Sequence, residues 1–207
     1  MSGFRFLRNV LLVSIAGLIP PLALFVFLSP GFATALTQGG PALLRFLRQV
    51  LTNGFPVVFA INYVGFFLYA LSNQTERPGD PVSFVAIDVL ARLSLFFALH
   101  ALIYVLSADW YGSFGGDEMT AISVVAPTLA RSAYFENVSG VYFYATFVSA
   151  MPLYVTAIRQ SKVLRKAVET LPFGSGPFIL AAAIFVATAV LITILAEAIL
   201  RIQGQLG

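Results

Sequence analysis

Residues 177–200 read PFILAAAIFVATAVLITILAEAIL and carry a single charged side chain, Glu197. The run exceeds the roughly 18 apolar residues that mark a membrane-crossing helix, and it lacks the alternating, roughly 10-residue pattern of a barrel strand. In hydrocarbon every backbone N–H and C=O must be paired within the protein, so a run of this kind is expected to be helical. Working outward, comparable runs occupy residues 10–28, 50–71, 82–106 and 138–158. The whole composition agrees. Hydrophobic residues make up 59% of the 207 and charged residues 10%, where a soluble domain has about 45 to 50% and about 25%. The chain therefore reads as one all-α, polytopic membrane domain: a helical bundle of about five transmembrane helices with almost no soluble part. Its first partner is the lipid bilayer.

The punctuation between runs is equally readable. The N-terminal segment, with Arg5, Arg8, an apolar stretch and then Ala33-Thr34-Ala35, imitates a cleavable signal peptide. However, residues 10–28 are longer than the 7 to 15 residues of a signal core, so a retained anchor helix is expected. Pro20 and Pro21 fall inside it, and two missing donors are expected to kink or break the helix there. The stretch PALLRFLRQ, with Arg45 and Arg48 three apart, predicts an interfacial amphipathic turn leading into the second span. The break SNQTERPGDP follows that span, and Asp109-Trp110-Tyr111 marks a membrane surface after the third. Within the loop at 107–137, MTAISVVAPTLA is too short to cross and predicts an interfacial or re-entrant helix. Asp117 and Glu118 stand at its start, where acids suit the helix dipole. Span four carries Tyr142, Tyr144, Pro152 and Tyr154, and Gly174-Ser175-Gly176-Pro177 opens span five.

Basic residues give an orientation. Placing the N-terminus in the cytoplasm puts Arg5, Arg8, Arg77, Arg159, Lys162, Arg165 and Lys166 on that side and Arg45, Arg48, Arg131 and Arg201 on the other. The excess favours a cytoplasmic N-terminus and an outside C-terminus. The same reasoning assigns the net charge of +3 to loops and anionic lipid, with no nucleic-acid role.

The candidate polar site is in span three. Asp88 and Arg92 are four residues apart, acid before base, which is the favourable order on a helix. Arg92 lies near the middle of the span, about 15 Å in at 1.5 Å per residue. A charge there costs about 2.5 to 3.5 kcal/mol on insertion scales, so it must face the bundle interior and find a partner. His100, the one histidine, is about 80° around the helix from Arg92 and about 40° from Tyr104. These four residues form the intramembrane polar set. In span five, Glu197 and Arg201 are expected to make an interfacial ion pair, and Ala183, Ala187, Ala189 and Thr193 a small-residue face on which another helix packs.

Many chemistries are excluded outright. The absence of cysteine removes disulfides, iron–sulfur clusters and thiolate metal sites, and one histidine cannot build a bis-histidine haem or a histidine zinc site within one copy. No metal site is expected. No phosphate-binding or dinucleotide glycine motif is present. Asn137-Val138-Ser139-Gly140 partly resembles a serine intramembrane-protease motif but lacks its first glycine, and the histidine precedes it. Asp88 and Arg92 have the acid-to-arginine spacing of membrane phosphotransferases without the aspartates that should follow. Both lysines lie in the loop after span four, which excludes a Schiff base within a span. Elimination leads to a non-enzymatic integral membrane subunit, accessory, assembly or structural, with other membrane subunits or further copies as partners. The alternatives are a small oligomeric channel or transporter using Asp88, Arg92 and His100, and a pigment- or haem-binding subunit using His100.

Overall fold

All five apolar runs are helical in the computed structural model, which describes residues 3–74, 81–106, 118–161, 166 and 175–206. Among the described residues there is no strand. In chain order the helices are α1 (Gly3–Leu28), α2 (Pro30–Thr37), α3 (Pro41–Gln49), α4 (Phe55–Gln74), α5 (Pro81–Leu106), α6 (Glu118–Ala130), α7 (Ser139–Val148), α8 (Met151–Gln160) and α9 (Gly176–Leu206). Among the described residues five segments are long and apolar enough to cross a bilayer: α1, α3 joined to α4, α5, α7 with α8, and α9. The protein is an all-α helical bundle of the membrane type. Asp109, Trp110, Tyr111, Asp117, Gly174, the break at 75–80 and the basic residues Arg77, Lys162 and Arg165 lie outside the described residues.

The α7–α8 span is the hub. It is the most buried of the spans and α9 the most open, so the other spans surround it. Helix α5 runs antiparallel to the hub, with Tyr142 beside His100 at one end and Tyr154 beside Phe84 at the other. Helix α1 packs on α7 and α4, and α9 packs on α8 and α6. The core between them centres on Val58, Ile61, Phe96, Val141 and Phe143.

Several boundaries differ from the sequence reading. Helix α1 begins at Gly3 rather than near residue 10, because Phe4, Phe6 and Leu7 extend its apolar surface while the long stems of Arg5 and Arg8 can reach polar surroundings. It also runs through Pro20 and Pro21 without interruption, which corrects the expected break. The prolines remove the donors to the carbonyls of Ala16 and Gly17, and packing of α1 along α4 and α7 holds the helix there. That contact is close: a Cβ on Gly17 would lie 2.9 Å from Ser149 Cβ and 3.1 Å from the Ala145 carbonyl oxygen. The amphipathic turn around Arg45 and Arg48 becomes α3 and continues through a π-helical turn, Val50–Gly54, into α4. Residues 30–37 form α2, with Pro30 at its first turn.

Span four is interrupted. Pro152 has no N–H to offer the Val148 carbonyl, and the chain steps from α7 to α8 across Ser149 and Ala150. The short helix expected at residues 119–130 forms as α6. Gln203 Nε2 donates to the Ser123 carbonyl at 3.2 Å, and Tyr134 Oη donates to the Thr193 carbonyl at 3.2 Å. Helix α6 therefore stands antiparallel beside the C-terminal third of α9, with the Arg131–Tyr134 3₁₀ turn at its inner end. It descends along the bundle and does not lie flat across its end.

Candidate functional site

Among the described residues Arg92 is the largest fully buried side chain, at 1% exposure, and Asp88 beside it is at 0%. One turn of α5 brings the two together: Arg92 Nε donates to Asp88 Oδ2 at 2.6 Å. The surrounding helices complete the site. Arg92 Nη1 donates to Asn62 Oδ1 of α4 at 2.7 Å, and Asn62 Nδ2 donates to Ser14 Oγ of α1 at 2.9 Å. Ser14 Oγ in turn donates to the Val10 carbonyl at 2.7 Å. From α8, Tyr154 Oη donates to Asp88 Oδ2 at 2.8 Å.

The interruption of span four supplies the remaining acceptor. At the α7–α8 step Ala150 N–H bonds the Phe147 carbonyl at 3.0 Å, three residues back. A regular helix would pair that N–H with the Thr146 carbonyl. Instead the Thr146 carbonyl accepts Arg92 Nη1 at 2.6 Å. A backbone irregularity caused by Pro152 thus becomes a ligand for a buried guanidinium, as expected where non-helical backbone at membrane depth is enclosed by protein.

Gly65 of α4 gives the pair its room. A Cβ there would lie 2.7 Å from Asp88 Oδ1 and would collide with Arg92 Nη2. Those two atoms have no hydrogen-bond partner among the described residues. The site is consequently a neutral ion pair held by α1, α4, α5, α7 and α8, with one carboxylate oxygen and one guanidinium nitrogen turned toward the Gly65 backbone.

His100 does not join this network. It is buried, Nδ1 lies 3.1 Å from the Phe96 carbonyl one turn back, and its ring centroid is 4.0 Å from that of Phe96 and 6.5 Å from that of Tyr142. Since a carbonyl can only accept, this bond places a proton on Nδ1. The side chain of Tyr104 lies outside the described residues. Asp88 and Arg92 are thus brought together, and His100 is separate. Ser14, Asn62, Gly65, Thr146 and Tyr154 complete the site without having been singled out for it. The available signal was general: polar residues amid apolar spans, such as Ser14 and Asn62, need buried partners.

Span five holds the second set. Arg201 Nε donates to Glu197 Oε1 at 2.8 Å, and Tyr134 Oη lies 3.2 Å from Glu197 Oε2. The expected small-residue face is not the one that packs within the chain. Ala183 and Ala187 are exposed and Ala189 and Thr193 half-buried, whereas Ala181, Thr188, Ile192 and Ala196 are buried. In lipid both faces of a span are apolar, so composition does not distinguish inward from outward.

Between α5 and α9 runs an apolar crevice of about 370 Å³. Its floor is the buried set Leu129, Phe143, Ile192 and Ala196. No known protein family, no curated protein and no solved structure matches this chain.

Proposed function

We propose that this chain is a non-enzymatic subunit of a larger membrane protein complex, with its N-terminus in the cytoplasm and its C-terminus outside. The observation that carries the reading is the contrast between its inner and outer surfaces. Inside, the charges of span three are engaged in holding five helices together, from Ser14 on α1 to Tyr154 on α8. Outside, α9 leaves Ala183, Ala187, Val186, Val190 and Ile194 open. Small residues on an open membrane helix permit close approach of a second helix, where association depends on packing. The test is gentle purification from the native membrane followed by mass spectrometry. Stoichiometric foreign membrane subunits are the expected result, and a chain that purifies alone with full membrane stability overturns it.

A second reading, a small channel or transporter, draws support from Asp88 Oδ1 and Arg92 Nη2, the two buried polar atoms turned toward Gly65. Intramembrane ionisable groups commonly mark ion or proton pathways. Vesicles containing the purified chain and an internal pH dye test it: this reading expects proton or ion flux that is lost in Asp88→Asn, and no flux above empty vesicles rejects it.

A further inference from the structure

We propose that the surface facing lipid tails ends, at the His100 end of the bundle, on a line through Asn53 of α4, Ser139 of α7 and Glu197 of α9, so that α6 stands on the bilayer as a cap and does not re-enter it. Contacts between helices fix two levels in the bundle. At one end Tyr69 Oη donates to Gln160 Oε1 at 3.2 Å, the Tyr69 and Phe84 rings are 5.3 Å apart, and Arg159 lies 5.3 Å from the centre of the Phe178 ring. Helices α4, α5, α8 and α9 are therefore in register there. At the other end Tyr142 packs on Gly54, where a Cβ would collide with its ring, and faces His100 with ring centroids 6.5 Å apart. Its neighbour Phe143 lines the crevice together with Ala196, which brings α9 to the same level.

The distance between the levels matches a bilayer. Asn53 to Asn73 is 20 residues, Ser139 to Arg159 is 20, and Phe178 to Glu197 is 19. At 1.5 Å per residue each is about 28 to 30 Å, and the hydrocarbon core is about 30 Å thick. Arg92 then falls at the midplane, eight residues from Phe84 and eight from His100.

The exposed surface changes character at the line. On α9 the exposed side chains before it include Val186, Val190 and Ile194, and those from Glu197 onward include Arg201, Gln203 and Gln205. Helix α6 turns Val125 and Leu129 inward and exposes Ser123 and Ala126, the reverse of a helix bathed in lipid tails. Its inner end leads into the 3₁₀ turn whose Tyr134 Oη lies 3.2 Å from Glu197 Oε2, so α6 stops at the line. The exposed apolar residues Leu51, Leu102, Ile103 and Ile202 lie two to five residues past the level of Asn53, His100 and Glu197. That is at most about 7 Å, within the head-group layer that adds roughly 5 to 7 Å on each side of the core.

The chain has no cysteine, so single-cysteine variants read depth directly. The test is reaction of the full chain, purified and reconstituted in phosphatidylcholine vesicles, with a charged maleimide loaded on both sides by freeze–thaw, using SDS-treated samples as the reference for full reaction. Ser123→Cys and Gln205→Cys are expected to react at least about tenfold faster than Ala183→Cys and Val190→Cys, because apolar surroundings that raise a thiol pKa by one unit lower its thiolate about tenfold. All four positions are exposed on the helix surface, so the variants leave the core packing intact. Protection of Ser123→Cys overturns the placement, and with reactive Ala183→Cys it would move the lipid-facing band toward the His100 end and make α6 re-entrant. Equal rates at all four positions overturn the band itself. Because the probe reaches both sides and no partner is present, these outcomes are independent of the orientation and of the complex proposed above.

Discussion

Arg92 meets the cost of a charge at membrane depth with three acceptors from three helices: Asp88 on its own, Asn62 on α4 and the Thr146 carbonyl on α7. Removing one member of such a pair leaves the other charged and buried, a loss of about 3 to 5 kcal/mol. Arg92→Met is therefore expected to lower the unfolding free energy, measured by detergent titration with circular dichroism, by about that amount. The double variant Asp88→Leu/Arg92→Met is expected to be more stable than Arg92→Met alone, since it removes the stranded carboxylate. A double variant as unstable as the single one would assign the loss to the packing of the arginine stem. Gly65→Ala probes the same site from α4. Its new methyl meets both charged groups, and overpacking of this kind costs about 1 to 3 kcal/mol.

At the scale of the element, α9 separates two faces that composition makes alike. Ala181 is fully buried against the α8 side of the bundle, and Ala183, two residues on, is exposed. Ala181→Phe is expected to destabilise the detergent-solubilised chain by about 1 to 3 kcal/mol, and Ala183→Phe to change it by less than about 0.5 kcal/mol. Thermal melts of both variants check the contrast, and equal losses would contradict the burial described for α9. If Ala183 serves a partner, its variant should still release the foreign subunits during purification. The α7–α8 step shows another property of elements. Pro152 is visible in the sequence as a helix breaker, but the use of the interruption is visible only when Arg92 is seen to cap it.

At the scale of the whole molecule, five spans place the two termini on opposite sides if each crosses once. The proposed cytoplasmic N-terminus rests on the asymmetry of basic residues. Reporter fusions at each end, one active only in the cytoplasm and one only outside, are expected to show N-in and C-out, and identical responses at both ends would reject the arrangement. The bundle is uneven about its hub. One side packs α1 and α4 closely on α7, and the other leaves α5 and α9 separated by the crevice. The α9 face proposed for a partner is exposed, while the ion pair lies among the packed helices.

The sequence alone determined that this chain is helical and built for lipid, because length and apolar content fix secondary structure where no water can pair the backbone. It also determined the contacts that one helix makes with itself. Asp88 with Arg92 and Glu197 with Arg201 follow from four-residue spacing. The tertiary structure decided which side chains from other helices reach those groups. Asn62 and Ser14 meet across 48 residues of sequence, and Tyr154 reaches Asp88 across 66. It also decided that α1 continues through Pro20 and Pro21, and that Ala181, not Ala183, faces inward. The reason is common to all of these. In a membrane the lipid is as apolar as the core, so hydrophobicity does not mark the inner face, and only the fit between helices selects it.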